Sequence, residues 1–225
     1  MAVRLAQDPA VAAQRLNAMK KTNGQALIVF QKNPVLGKVK TRLAATVGNE
    51  KALEIYHHLL KLTYSQITQI QEIAVFIYYS DYLEEPPARV SLDSNHHRVQ
   101  QGSDLGDRMR NAFWEVSEAG FENIAIIGTD CPEISAEIIR DAFLNLASFP
   151  VVFGPAKDGG YYLLGMNRLE NSLFEEIPWS TSEVLKISAA RLKDKNIPFQ
   201  LLPMLSDIDN EKDWNAYIRL TLETK

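Results

Sequence analysis

Short apolar runs alternate with longer stretches of helical periodicity along this chain. The runs at 26–30, 73–79 and 124–127 are rich in β-branched and aromatic residues and are bounded by polar segments. Runs of this length and composition are typical of strands that are buried on both faces of a sheet. Strands are predicted at 26–30, 73–79, 98–101, 123–128, 151–154, 161–166 and 199–205.

The intervening segments have the spacing of amphipathic helices. Helices are predicted at 41–70 with a break near Gly48, at 104–119, at 135–147, at 182–195 and at 211–222. Gly120 is suited to end one of these helices, and Ser135 is suited to cap the start of another. Alternating strands and helices predict one α/β domain of three layers, in which helices cover both faces of a mostly parallel sheet.

Residues 1–24 are predicted to be an N-terminal extension to a domain that spans 25–225. Within the extension, 9–19 has the character of a short helix, with Asp8 as its cap and Pro9 in its first turn. Asn23 and Gly24 then predict a turn before the first strand.

Composition narrows the class of protein. The chain has 225 residues, a net charge of −4 and a single cysteine, Cys131. One cysteine excludes an intrachain disulfide and a cysteine zinc site. The acidic balance argues against nucleic acid as a partner. No apolar run approaches a membrane span, and the first 22 residues lack the apolar core of a secretory signal, so a cytoplasmic protein is expected. No oligomeric state is predicted.

A basic loop follows the first predicted strand. Lys32, Lys38, Lys40 and Arg42 lie within eleven residues of an otherwise acidic chain, and the last two stand at the start of a helix. The carboxyl ends of parallel strands are where such sheets bind ligands, and a helix N-terminus favours anions. The loop is therefore a candidate phosphate site, although a solvated basic loop is the alternative.

Carboxylates follow two other strands. Asp130 comes directly after the run at 124–127, where it could hold Mg²⁺ together with phosphate oxygens, or cap a turn before Pro132. Asp207 and Asp209 would point to the same side of an extended segment and could complete that cation site. The alternative is that Asp209 or Asn210 caps the last helix.

Asp158, Gly159 and Gly160 follow the strand at 151–154. The paired glycines permit close approach to a ligand, and Asp158 could accept a hydrogen bond from a substrate hydroxyl. The same residues also predict a tight hairpin turn, and both interpretations can hold together.

Three further features are weaker candidates. The segment 101–109, with Asp104 and Arg108, could be a ligand-facing loop or a helix start capped by Asp104. Trp179 could stack on an acceptor or belong to the core. Residues 180–183 fit a capping box.

Taken together and in this order, these motifs resemble a known family. The elements at 30–43, 101–109, 128–132, 154–162, 179–181 and 207–213 are similar to those of the bacterial glycosyltransferase-like proteins called radical-SAM/selenodomain-associated transferase 1. That DUF-type family is related to GT-A-type nucleotide-diphospho-sugar transferases and to small guanylyltransferases. The glycine-rich GxGxR signature of many sugar nucleotidyltransferases is absent, and the usual Asp-x-Asp is reduced to Asp130.

The resemblance implies a GT-A-like domain, with roles for particular residues. Lys32, Lys40 and Arg42 match a basic loop near the phosphates of the donor. Asp130 and Asp209 match the carboxylates that hold a divalent metal, Mg²⁺ or Mn²⁺. Asp158, Gly159 and Gly160 match a loop near the acceptor or sugar. Asp104, Arg108 and Trp179 complete the predicted substrate-binding set, and Asp130 and Asp158 are the predicted catalytic residues.

Three functions follow as hypotheses. The first is metal-dependent glycosyl transfer from a nucleotide-diphospho-sugar to a small acceptor. The second is nucleotidyl transfer of the guanylyl or cytidylyl type, which releases pyrophosphate from a nucleoside triphosphate. The third is a nucleotide-binding module without catalysis, since a fold alone does not fix an activity.

Overall fold

A computed structural model describes residues 22–84 and 96–223 of the chain. The predicted helix at 9–19 lies outside the described residues, and so does most of the proline-containing segment 83–95, for which the sequence predicts a loop. The predicted turn before the first strand is present, because Asn23 and Gly24 have φ angles of 50° and 69°.

Within the described residues, seven strands form one sheet in the order β3-β2-β1-β4-β6-β5-β7. They are β1 Gln25–Gln31, β2 Ala74–Tyr79, β3 His97–Val99, β4 Asn123–Ile127, β5 Val151–Pro155, β6 Tyr161–Met166 and β7 Phe199–Leu201. All neighbouring pairs are parallel except those made by β6, which runs antiparallel to both β4 and β5. The predicted mostly parallel sheet is therefore confirmed.

Helices connect the strands and cover the sheet on both faces. They are α1 Thr41–Val47, α2 Asn49–Ile67, α3 Leu105–Glu118, α4 Ala136–Leu146, α5 Val184–Asp194 and α6 Glu211–Glu223. The predicted break falls at Gly48, between α1 and α2, with a φ of 85°. In the described part of the chain, no helix is both long enough and apolar enough to span a membrane.

Alternate side chains of each strand divide the core into two clusters, one on each face of the sheet. In β2, Val75, Ile77 and Tyr79 belong to the first cluster, which packs against α2 and α4. Ala74, Phe76 and Tyr78 belong to the second cluster, which packs against α3 and α5. A smaller third cluster joins α1 and α2 to the start of α6, and Leu43, Ile55 and Ile208 are among its buried members.

Two predicted elements differ from the structure. β7 ends at Leu201, before Pro203, and only an isolated bridge at Leu205 continues its pairing. The predicted capping box at 180–183 is wrong, since no side chain caps α5. Its Thr181 hydroxyl instead donates to the Pro178 carbonyl at 2.7 Å, which uses that hydroxyl in the preceding turn.

The reversed direction of β6 gathers several loops at one edge of the sheet. Because β1, β4 and β5 are mutually aligned and β6 opposes β4 and β5, the carboxyl ends of β1, β4 and β5 lie at the same edge as the first residue of β6. The loops that follow these strands carry most of the predicted site residues.

Candidate active site

A cleft of about 470 Å³ opens at this edge of the sheet. That volume lies within the range of small-molecule sites. Eight predicted site residues line the cleft: Lys32, Lys40, Arg42, Asp130, Asp158, Gly160, Trp179 and Asp209. Three others, Asp104, Arg108 and Gly159, are not among the residues that line it.

Lys40 occupies the centre of the charged part of the cleft. Its ammonium donates to the Ile208 carbonyl at 2.6 Å, and it lies 3.0 Å from Asp130 Oδ2 and 3.7 Å from Asp209 Oδ1. The side chain is only 5% exposed. Its backbone has a φ of 48° and a ψ of 45°, a left-handed conformation that is unfavourable for a lysine. These contacts stabilise that conformation and hold three loops together.

Arg42 lies on the solvent side of Asp209. Its Nη1 donates to Asp209 Oδ2 at 3.2 Å, while 66% of the side chain is exposed. An exposed ion pair contributes little to stability, so the guanidinium can exchange this partner for an anionic ligand at small cost. Its planar fork suits the oxygens of a phosphate.

Asp209 is left to face these cations because other residues cap α6. Asn210 Oδ1 accepts from the amides of Lys212 and Asp213, and Asp213 Oδ2 accepts from the amides of Asp209 and Asn210. The sequence left open whether Asp209 or Asn210 caps the last helix. In the structure Asn210 caps it, and the Asp209 side chain does not.

Backbone contacts fix Asp130 relative to the same segment. The Ile208 amide donates to the Asp130 carbonyl at 3.0 Å, and the Ser206 amide donates to Glu133 Oε1 at 3.2 Å. These two bonds join the segment after β4, which carries Asp130, to the segment before α6.

Asp207 completes a group of four aspartates that line the cleft. Burial, followed by the negative charges of Asp130 and Asp158, raises the pKa of Asp207 to about 7. The sequence indicated Asp207 only as a companion of Asp209, because burial of its carboxyl group depends on the contacts of the folded chain. The raised pKa of Asp207 reflects the crowding of negative charge in this part of the cleft.

Asp158 lies in the turn between β5 and β6, which confirms the predicted hairpin, and it lines the cleft together with Gly160. Its Oδ1 accepts from the Gly160 amide at 2.8 Å, and the Gly159 amide donates to the Ala156 carbonyl. Gly159 has a φ of 93°, and a Cβ there would overlap the backbone of Ser182. Gly159 therefore joins the turn to the segment before α5.

Hydrogen bonds to its backbone hold Lys32 in place, and its side chain is exposed. The buried Tyr56 hydroxyl accepts from the Lys32 amide at 3.0 Å and donates to the Lys32 carbonyl at 2.9 Å. The same hydroxyl lies 3.2 Å from Thr129 Oγ1, beside Asp130. Tyr56 and Thr129 line the cleft, and no local sequence motif indicated either residue.

The predicted ligand-facing loop around Asp104 has a local role. Asp104 caps α3 by accepting from the Asp107 amide at 2.8 Å, which is the alternative stated for it above. Arg108 Nε donates back to the Gly102 carbonyl at 3.3 Å. Both charged side chains are thus used within their own segment, outside the cleft.

The other side of the cleft is apolar. Trp179 is half-buried against the second core cluster and packs on Gly106, where a Cβ would lie 2.6 Å from the indole Nε1. Glycine is therefore required at the first turn of α3 for the indole to take this position. Leu105 and Met109 line the cleft beside it.

Asp130 and Asp209 fit the predicted divalent metal in chemistry. Mg²⁺ takes one or two carboxylates together with phosphate oxygens and water, and the four neighbouring aspartates provide more negative charge than Lys40 and Arg42 balance. Among the residues that the structure describes, no three histidine, cysteine or acidic side chains converge on a ready-made metal site. A metal bound by Asp130 and Asp209 would complete its coordination with substrate oxygens or water.

A family model matches residues 63–181, from α2 to the turn before α5. It describes uncharacterized proteins conserved in bacteria, designated DUF2064. The chain belongs to this family. The match covers the segments of Asp130, Asp158 and Trp179, whereas Lys40, Arg42 and Asp209 lie outside it.

Solved structures share the fold of this DUF2064 member. A proposed nucleotide-diphospho-sugar transferase from Desulfovibrio desulfuricans G20 is 29% identical, with a TM-score of 0.78 over 88% of this chain and 87% of that one. A CMP:2-keto-3-deoxy-manno-octonic acid synthetase solved with CTP is 12% identical, with a TM-score of 0.54 over 89% of this chain and 100% of that one.

A third neighbour, 4-diphosphocytidyl-2C-methyl-D-erythritol synthase from Anaerococcus prevotii DSM 20548, is 10% identical, with a TM-score of 0.54 over 89% of this chain and 99% of that one. No curated protein matched the sequence. The neighbours confirm the predicted nucleotide-diphospho-sugar transferase fold and support the transferase class.

Proposed function

We propose that this protein is a metal-dependent transferase that moves a glycosyl group from a nucleotide-diphospho-sugar to a small acceptor. The observation that carries the proposal is the placement of Lys40 and Arg42 against Asp130 and Asp209 in one cleft. Cations and carboxylates in this arrangement can neutralise a diphosphate both directly and through a divalent metal. The relationship to a proposed nucleotide-diphospho-sugar transferase supports the choice of donor.

The donor diphosphate would lie against the basic loop. Arg42 would leave Asp209 to bind a phosphate oxygen, and Lys32 would add a second exposed positive charge. Lys40 would stay in place and offset the charge of Asp130 and Asp209. Asp130 and Asp209 would hold Mg²⁺ or Mn²⁺, which supplies further neutralisation of the departing diphosphate.

The chemical step exchanges one bond for another at the anomeric carbon. The acceptor hydroxyl oxygen forms a bond to that carbon, and the bond from the carbon to the diphosphate oxygen breaks. Its electron pair leaves on the nucleoside diphosphate, where the basic side chains stabilise the developing charge. The hydroxyl proton passes to Asp158, whose carboxylate lines the cleft at the turn between β5 and β6.

Nucleotidyl transfer is the alternative for the same cleft. An acceptor would then attack the α-phosphate of a nucleoside triphosphate and release pyrophosphate. The resemblance of Asp209 to the second metal carboxylate of related nucleotidyltransferases favours this reaction. A nucleotide-binding module without turnover is the third possibility.

A ligand panel tests the donor site. Nucleotide sugars and nucleoside triphosphates are each added with and without Mn²⁺, and the thermal midpoint is measured. A ligand at 100 times its dissociation constant adds about 2.7 kcal/mol, or about 5–10 °C for a domain of this size. A Mn²⁺-dependent shift with a nucleotide sugar is expected. It should be lost in Asp130→Asn and kept in Lys38→Met, a matched lysine of the same loop that does not line the cleft.

Product analysis separates the reactions. Release of a nucleoside diphosphate supports glycosyl transfer, and release of pyrophosphate identifies nucleotidyl transfer. Binding without either product, across the acceptors tested, favours the non-catalytic module. The absence of a shift with every nucleotide would rule out the donor site.

A further inference from the structure

The cleft has two chemically different sides, and each belongs to a different face of the sheet. On the charged side, Tyr56, Cys131 and Tyr162 are part of the first core cluster. On the apolar side, Met109 is buried in the second core cluster, and Phe30, Tyr161 and Trp179 pack against it. The donor diphosphate of the proposed function would use only the charged side.

The apolar side is built into the fold and is open to ligands. Six of its residues line the cleft: Phe30, Leu105, Met109, Tyr161, Trp179 and Val184. The indole of Trp179 is fixed by its close packing on Gly106, as described above. Leu105 is 42% exposed at the first turn of α3, and contact of its apolar side chain with water does not stabilise the protein.

From these observations we propose that the apolar side binds the body of the acceptor, and that the acceptor is an alcohol on an aromatic or aliphatic ring. This inference rests on the proposed function. Asp158 links the acceptor to this surface: its carboxylate would receive the proton of the acceptor hydroxyl, and it lines the cleft three residues before Tyr161, the first residue of β6, which also lines the cleft. An acceptor whose hydroxyl lies beside Asp158 would place its carbon skeleton toward Tyr161 and its apolar neighbours.

Polyhydroxylated or phosphorylated acceptors fit this surface poorly. Their polar groups would lose water against Leu105, Met109 and the ring face of Trp179, none of which offers a strong hydrogen bond in return. A ring, in contrast, can stack on the indole face and bury apolar area. The surface thus selects against the sugar and glycerol type of acceptor.

Ligand-observed NMR saturation transfer with three probe alcohols tests the inference. Benzyl alcohol and cyclohexylmethanol are expected to bind, and glycerol is not. Trp179→Ala should weaken benzyl alcohol binding about fivefold or more, since a stacked aromatic contact is lost. Trp114→Ala is the matched control, because Trp114 is 56% exposed on α3 and does not line the cleft. If Trp179→Ala does not fold, Leu105→Ser at the exposed rim replaces it.

Competition shows which group occupies the apolar side. Pyrophosphate and nucleosides are each added to the benzyl alcohol complex, and neither should displace the alcohol. Displacement by uridine, cytidine or guanosine would instead assign the surface to the nucleobase and overturn the inference. Equal binding of glycerol and benzyl alcohol, or an equal loss in Trp114→Ala, would also overturn it.

The ligand panel of nucleotide sugars and nucleoside triphosphates distinguishes failure of the acceptor inference from failure of the proposed function. Nucleotide-sugar binding without benzyl alcohol binding contradicts the acceptor inference and leaves the proposed function intact. Benzyl alcohol binding without any nucleotide binding contradicts the proposed function.

Discussion

Two loops of this protein follow parallel strands and carry charged residues, yet only one places its charges in the cleft. The loop after β1 sends Lys40 to Asp130 and Asp209, which lie far away in the sequence. The loop after β3 keeps its bonds local, from Asp104 to Asp107 and from Arg108 to Gly102. β1 lies between β2 and β4, whereas β3 is at the edge of the sheet. A loop after an inner strand has other loops on both sides to contact, and a loop after an edge strand does not.

Removing the Lys40 ammonium is the strongest way to test this comparison. Lys40→Met would leave Asp130 and Asp209 without their shared cation. Loss of one partner of a buried pair typically costs about 3–5 kcal/mol. We expect about 2–3 kcal/mol here, because both carboxylates are partly exposed. Turnover should fall about 10²–10³-fold, as for loss of one key charge-stabilising group.

Urea unfolding and turnover measure the two effects of Lys40→Met, with Lys38→Met as the matched control. Lys40→Met could instead lower the free energy of unfolding by less than about 0.5 kcal/mol, the range of an ordinary surface substitution. The loop after β1 would then contribute no more tertiary contact energy than the loop after β3.

The protonation of Asp207 gives a pH-dependent test of the same region. Its pKa is raised to about 7 in the folded protein by burial and by Asp130 and Asp158. The folded protein therefore binds a proton more tightly than the unfolded chain, and stability falls as pH rises from about 4 to about 7. Asp207→Asn removes this contribution.

The expected gain of Asp207→Asn relative to the native protein is about 2 kcal/mol larger at pH 8 than near pH 4. This is roughly half of the free energy that the raised pKa of Asp207 represents, since the side chain is partly open to water. Urea unfolding at the two pH values, with EDTA present, measures the difference. If the gain in stability from Asp207→Asn were the same at both pH values, the charge crowding described for the four aspartates would be contradicted.

Asp104→Ala tests the other loop. The substitution removes the cap of α3 and should cost about 1 kcal/mol of stability, with turnover unchanged. Asp104→Ser, which can still cap, should recover most of the loss. A fall in donor affinity in Asp104→Ser would show that the loop after β3 contributes to the site, which would contradict the difference drawn between the two loops.

Arg108→Ala should have the smallest effect. Its bond to the Gly102 carbonyl is local and partly exposed, so a change within about 0.5 kcal/mol is expected, with no change in nucleotide affinity. Nucleotide titration at low and high salt would reveal any contribution of this guanidinium to phosphate binding. A marked weakening at low salt would contradict its placement outside the cleft.

Most of the fold could be predicted because it depends on local patterns. The run at 161–166 coincides with β6, and the predicted break of the first long helix falls at Gly48. The shortened β7 was not predicted, because Leu202 and Leu205 are buried in the first core cluster and so continue the apolar pattern beyond the end of the strand at Leu201.

The site was predicted only as far as strand ends indicate it. Asp130 and Asp158 directly follow β4 and β5, so their position at one edge followed from the topology. The contact of Lys40 with Asp209, the protonation of Asp207 and the Tyr56 hydroxyl bonds all depend on tertiary contacts. The position of Trp179 on Gly106 is of the same kind, because two segments distant in sequence must meet.

The turn between β5 and β6 also bears on how the site assembles in time. Hairpins form within about 1–10 μs, so the Asp158 turn can form early from residues that are neighbours in the chain. Arg42 and Asp209, in contrast, are 167 positions apart, and their meeting waits on the entropy of closing a very long loop. During folding, the Asp158 carboxylate would therefore be in place before the pair formed by Arg42 and Asp209. A refolding chain should regain its β5–β6 hairpin well before it regains nucleotide affinity.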